Sequence, residues 1–554
     1  MVTAIQRWIQ AQSIVGFGGQ TRREEGAPWW VWYRWVPAKY RTPLSITWAE
    51  VATHNHFVLD RGGKVFKQTA PVIKLPEGAT ERDHLWLLGL LNSSTGCFWL
   101  KQVCHSKGVG GIGGGIGDEE WEPRYAFNAT KLEQFPLPNG SPVELATRLD
   151  ALAAEFQLVR PSVVTAAGVA TRTALDAARA GWERIRSEMI SAQEELDWEV
   201  YGLYGLLGDD ADDLIGPGLE KPPLRLGERA FEIALARQVA AGEAETEWFS
   251  RHRSAPITDL PAHWPAGYRA LVERRLAKIA SDPHLRLIER PECKRRWASP
   301  SWEDMESDAL RGWLLDRLEG RALWFQPGPA LRSAAQLADA LRTDSDFVSV
   351  AGLYARDADL ADVVAALVRD QHVPFVAALR YTESGMRGRA QWEETWEKQC
   401  REDAREKVGP IPVPPKYKQG DFRDLAYWRN RGKLDVPKER FISCPGASRD
   451  GTLLLGWAGW DHLQQAQALT AYITERRELD AWDGERLMPL LAGLAELLPW
   501  VAQWHADADP EFGVRPAEAY GGFLDEQLLQ LGLTRADLTR WEPKPPARGR
   551  RRTT

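Results

Sequence analysis

The side chains best placed for chemistry are cations set beside glycines and aromatics. Lys101, His105 and Lys107 close an apolar segment and are followed by a glycine-rich loop, GVGGIGGGIG at 108–117, with Arg124 and Lys131 beyond it. Flanking a helix end and the glycine loop, these five groups are expected to converge on one groove of a duplex, as part of a base-reading surface. A second set lies in 409–462: Lys416, Lys418, Arg423, Arg429, Arg431, Lys433, Lys438 and Arg440 alternate with Tyr417, Phe422, Tyr427, Trp428 and Phe441. It contains no clustered Asn or Gln to read adenine edges, so it suits backbone contact better than base readout. A core seam with solvated charges fits the same stretch.

Other constellations carry less. Gly108-Val109-Gly110-Gly111-Ile112-Gly113 has G-x-G-x-x-G spacing. The dinucleotide fingerprint needs a strand before it and a helix after it. A helix is expected before this one, and Asp118-Glu119-Glu120 after it would repel an anion, so the segment reads as a mobile loop beside a groove. Asp282, Glu292 and Lys294 resemble a nuclease D…ExK set, but Pro283 and Pro291 flank it where adjacent strands are needed. Lys294-Arg295-Arg296 reads as a phosphate contact or a solvated face. His54-Asn55-His56 lacks the wide spacing of an HNH nuclease. No Ser/His/Asp set and no metal-ligand cluster is present.

The elements that must position these residues can be read in order. Thr80 with Asp83 is a capping box that starts a helix with Leu85, Leu87, Leu88, Leu90 and Leu91 inward. Asn92-Ser93-Ser94 breaks it and caps a second helix, 95–103; Phe135-Pro136-Leu137-Pro138 closes the unit extended. Strands are expected at 30–35, where tryptophans cluster, and at 57–59, 64–68 and 71–75. Residues 1–140 thus read as one mixed α/β domain. Helices follow in a spacer at 141–208, including a long one at 171–195. A charged helical region spans 209–320, opening on an acidic Gly/Pro linker.

A helical module spans 321–408. Its short helices at 331–341, 346–354 and 359–370 have the spacing of a helix-turn-helix or winged helix. Asp344, Asp346 and Asp357 there argue for packing or protein binding over base reading. A basic, aromatic and helical domain spans 409–542, and a basic tail, expected to be disordered, spans 543–554. The fold class is α+β, multidomain, with mostly helical domains after the first.

The chain has 554 residues, 44% of them hydrophobic, and 26 Trp, enough for several cores. Five scattered cysteines suit a reducing, cytoplasmic setting. No run is expected to approach the roughly 20 apolar residues a membrane helix needs, and no signal peptide is expected from the first residues. Net charge is −7, so DNA binding must come from local basic surface.

LLGLLNSS (87–94), FWLKQ (98–102) and NATKLEQFPLP (128–138) resemble target-recognition domains of restriction-modification DNA methyltransferases. EELDW (194–198), VYGLYGL (200–206), LIERPECKRRW (287–297), VPPKYK (413–418) and YWRNRGKLDVPKERF (427–441) are similar to the PglX family, the adenine-specific DNA methyltransferases of type 2 BREX phage-defence systems. The resemblance implies double-stranded DNA as partner, a methyltransferase catalytic domain or subunit, S-adenosylmethionine for the complete enzyme, and other phage-defence proteins nearby. It concerns the family's C-terminal half. The (Asn/Asp/Ser)-Pro-Pro-(Tyr/Phe) motif that holds a flipped base is absent; Asp509-Pro510-Glu511-Phe512 and Pro414-Pro415-Lys416-Tyr417 fall short of it, and no cofactor glycine motif is found. The chain is therefore expected to bind no cofactor itself, and to recognise and clamp DNA for a catalytic domain elsewhere. A helical interaction scaffold is the alternative.

Overall fold

A computed structural model describes residues 41–67, 69–108, 122–297, 299–510 and 513–543. The strand expected at 30–35, most of the glycine loop and nearly all of the basic tail lie outside them. Of the described residues, 41–168 and 172–306 form one compact unit, and 169–171 with 307–543 form another. Helices dominate and the sheets are small, so the chain is an α+β multidomain protein.

The first unit starts with two three-stranded sheets. β1 (Ser45–Trp48) lies between β3 (Phe57–Asp60) and β4 (Val72–Ile73), both antiparallel to it. β2 (Val51–Ala52) and β5 (His105–Gly108) flank β6 (Arg124–Ala126). No strand forms at 64–67: β1 already has both edges filled, and Gly62 and Gly63 turn the chain away at φ +99° and +78°. Between the sheets come α1 (Glu81–Leu91) and α2 (Ser94–Val103). The capping box at Thr80 is complete, and the Ser93 hydroxyl caps α2 by accepting from the Gly96 amide. Gly96 is required there, because a Cβ would stand 2.7 Å from the Leu90 carbonyl oxygen. Ile46, Trp48, Phe57, Leu85, Leu90, Leu91, Leu100 and Phe135 form the core. Each such side chain contributes about 1.5–3 kcal/mol on burial.

α3 (Val143–Leu158) packs on α1 and on α4 (Arg172–Leu203), a 32-residue helix longer than its apolar spacing suggested. The middle of α4 is buried on every side, so Glu194, Glu195 and Asp197 need internal partners. Glu195 takes both terminal nitrogens of Arg275, on α5 (Ala266–Ser281), at 2.9 Å each. Asp197 accepts from the Ser94 amide (2.7 Å) and hydroxyl (2.6 Å). Lys294 is enclosed among Asp197, Glu289 and the Tyr201 hydroxyl. The phosphate-contact reading of Lys294 is therefore overturned: its charge is consumed inside. The D…ExK set is not assembled either, since Asp282 caps the short helix Pro283–Ile288.

The second unit contains α6 (Trp302–Leu318) from residue 307 on, then β7 (Arg332–Ser333), α7 (Ala334–Leu341), α8 (Ser345–Tyr354), α9 (Leu360–Val368) and β8 (His372–Pro374). After α10 (Glu383–Asp403), β9 (Phe441–Cys444) and β10 (Leu454–Trp457) return to the same sheet, ordered β7-β10-β9-β8. β7 precedes the three short helices α7, α8 and α9, whereas β9 and β10 follow them, with 375–440 inserted before β9, and in the sheet β10 lies between β7 and β9. Asp344 caps α8, and Asp346 pairs with Arg317 at 3.3 Å. Their acidity thus has local structural causes. α11 (His462–Asp480), α12 (Gly484–Trp504) and α13 (Pro516–Leu531) form a bundle. Contrary to the expectation, α12 is long and apolar enough to cross a membrane. Leu487, Leu490, Leu491, Leu494 and Val501 are buried in that bundle, the pattern of a core helix.

Candidate nucleic-acid interface

Strand register brings two of the predicted basic residues of the first unit together. In the β2-β6-β5 sheet, Ala52 faces Tyr125, which faces Ser106, while Arg124 faces Gly108. Lys107, Arg124 and the 53–56 segment that continues β2 therefore share one end of the sheet, where the glycine loop departs. Lys107 and Arg124 are exposed there. His105, also exposed, faces Ala126 toward the other end. Lys131 lies in the one-turn helix Ala129–Leu132, close to Cys104, which precedes β5.

A strand, β5, precedes the loop where a helix was expected, and the antiparallel β6 follows it. This is a hairpin connection. Among the described residues around this loop, the strand–loop–helix that seats a nucleotide cofactor does not form.

Lys101 does not reach the groove. α2 turns Cys97, Leu100 and Lys101 inward, and the Lys101 ammonium donates to the Glu292 carbonyl (2.6 Å) while lying 5.1 Å over the Tyr125 ring. Burial lowers its pKa. It ties α2 to the 289–297 segment.

The 54–56 tripeptide proves to be structural and cationic in its surroundings. Asn55 is buried, and its amide donates to the carbonyls of Leu91 (2.6 Å) and Ser93 (3.1 Å). That anchor fixes its two neighbours, whose rings stack at 6.4 Å. Arg295 donates from Nη2 to His56 Nε2 at 3.1 Å and lies 5.2 Å over the Trp297 ring. A guanidinium can only donate, so His56 Nε2 accepts and its imidazole is neutral. Crowding and then the Arg295 charge hold the His56 pKa at about 4. His54 is held well below its ordinary value by burial, then by Arg296, Arg295, His56 and Lys101. Burial brings Arg295 and Arg296 down to about 10. Sequence reasoning missed this cluster, because its halves are some 240 residues apart and no periodicity joins them.

In the second unit the aromatics of the 409–441 stretch pack inward. Tyr417 and Phe422 are buried against Tyr381, with Tyr417 stacked on it at 5.2 Å. Arg423 donates to the Ala378 and Tyr381 carbonyls. Arg431 is enclosed by Glu439 and Asp435 and is no surface cation. Arg440 pairs with Asp316 and Glu319. Lys416, Lys418, Arg429 and Lys433 are exposed. Among the described residues no group of His, Cys, Asp or Glu could hold a metal ion.

Residues 189–552 match the model of a family described as Domain of unknown function (DUF7008), and the chain belongs to that family. The chain is also similar to the adenine-specific methyltransferase PglX of Streptomyces coelicolor, 49% identical over 97% of this chain and 45% of that protein. It spans under half the length of the curated relative it matches. No solved structure matches it.

Proposed function

We propose that the chain is the DNA-recognition and clamping part of an adenine-specific DNA methyltransferase of a BREX-type phage-defence system. The observation that carries this is the identity to PglX along nearly the whole chain. The exposed Lys107 and Arg124 at one end of a sheet supply a place for duplex DNA. On this reading residues 1–140 recognise the site. Lys416, Lys418, Arg429 and Lys433 contact the backbone, and a separate methyltransferase domain or subunit brings S-adenosylmethionine and the base-holding motif. The setting is cytoplasmic, with no membrane involved.

The test is duplex binding by fluorescence anisotropy across a salt series. Lys107→Glu with Arg124→Glu should weaken binding and reduce the slope of log affinity against log salt by about two, one for each phosphate no longer neutralised. Unchanged affinity and slope in a folded variant would remove this surface from the interface.

A second reading is a docking scaffold for other defence proteins. The α7–α9 unit favours it, since the exposed residues of α9 are Asp362, Ala365 and Ala366, which offer no donor to base edges. Absence of any salt-dependent duplex binding would favour the scaffold.

A further inference from the structure

We propose that Arg295, His56 and His54 form a seat for a single phosphate oxyanion, at the same end of the β2-β6-β5 sheet as Lys107 and Arg124. Charge in this unit is unbalanced at one point. Three fully buried cations of the unit each have a carboxylate, whereas Arg295 is half-buried beside the exposed His56: Arg229 has Glu232, Arg275 has Glu195 and Lys294 has Glu289. Arg295 has none within ion-pair reach among the described residues, and it spends a donor on a neutral imidazole instead. The nearest candidates are engaged. Asp197 is taken by Ser94 and Lys294, and Asp150 by Arg61 at 2.6 Å. A crowded guanidinium without a counter-charge is costly, and the cost is removed when an anion arrives.

The surroundings define the ligand. Asn55 and Trp297 hold the imidazoles and the guanidinium in place, so its remaining N–H groups form a fixed fork suited to an oxyanion. A cavity of about 100 Å3 adjoins it, the volume of about one phosphate group: His56, Asn92, Gln193 and Arg295 form its polar edge, while Leu59, Leu88, Leu149, Met189 and the Asp150 carboxylate, held by Arg61, line the rest. Arg296 and Lys101 add positive potential around His54, favouring a multiply charged ligand over a lone carboxylate. The phosphate belongs either to the DNA backbone, which rests on the function proposed above, or to free phosphate or a nucleotide, which does not.

The full chain decides between them. Thermal unfolding is followed in inorganic phosphate and in sodium chloride of equal ionic strength, for wild type, Arg295→Gln and His56→Glu. Phosphate should raise the wild-type Tm above the chloride control, and Arg295→Gln should lose that increment. His56→Glu supplies the missing carboxylate in cis. It should raise the Tm without phosphate and abolish the response, and it decides the matter if Arg295→Gln fails to fold. A duplex salt series then separates the sources. A slope smaller by about one in Arg295→Gln assigns the seat to a backbone phosphate. An unchanged slope with a lost phosphate response assigns it to free phosphate or a nucleotide. Equal Tm in phosphate and chloride, with His56→Glu less stable than wild type, overturns the seat. Loss of all duplex binding with the phosphate response intact overturns the DNA reading alone.

Discussion

At the scale of single residues, the buried ionic network along α4 makes the sharpest demands. Lys294 pairs with both Glu289 and Asp197, and all three are buried. Lys294→Met should cost about 3–5 kcal/mol in urea unfolding, the penalty of leaving buried charges unpaired. Glu194 differs. One of its oxygens accepts from the Trp198 indole (3.1 Å) and the Ala230 amide (3.3 Å), and burial raises its pKa to about 6. A raised acid pKa means that the folded state binds the proton more tightly than the unfolded state does. That contribution is complete below the ordinary carboxylate range and is lost as pH climbs through about 6. Glu194→Gln should flatten this part of the stability–pH curve and be more stable than wild type at pH 7 by about 1–2 kcal/mol. None of this was legible in the sequence. Helical spacing marks which positions face a core, but three acids inside it make sense only with Lys294 and Arg275 from distant segments.

At the scale of elements, local chemistry was readable and pairing was not. The Thr80–Asp83 box and Ser93 set α1 and α2 where the sequence placed them, because caps are decided within four residues. Thr80→Ala should cost about 1 kcal/mol, measured by chemical denaturation. β5 escaped notice because His-Ser-Lys-Gly has no strand pattern and becomes a strand only against β6. The 409–441 stretch shows both outcomes at once. Its aromatics close a core, while part of its basic set stays outside. Two substitutions there should therefore separate cleanly. Arg429→Glu should leave stability unchanged and reduce the salt slope of DNA binding by about one. Arg431→Glu, placed between Glu439 and Asp435, should instead lower the Tm by several degrees. If the stability effects of the two are reversed, the clamp assignment fails.

At the scale of the whole molecule, the net charge of −7 confines any DNA contact to local basic surfaces. Sequence composition showed that confinement; it could not show that Lys101, Lys294 and Arg431 turn inward, because a cation looks the same on either side of a helix. The chain carries neither methyltransferase motif, so isothermal calorimetry with S-adenosylmethionine should record no stoichiometric binding; micromolar affinity would contradict the proposed division of labour.

The interrupted sheet of the second unit also sets a schedule. β7 is made early, but its partner β10 follows more than a hundred residues later. At roughly 5–20 residues per second, a ribosome needs about 6–25 s to deliver it. Until β10 arrives, α7, α8 and α9 lack the β7–β10 strand pair beside them, and the apolar side chains destined for it stay open to solvent. Synthesis of this unit should thus depend more on holding chaperones than its helical content suggests, since long-range strand pairing, rather than helix formation, limits how fast it can fold.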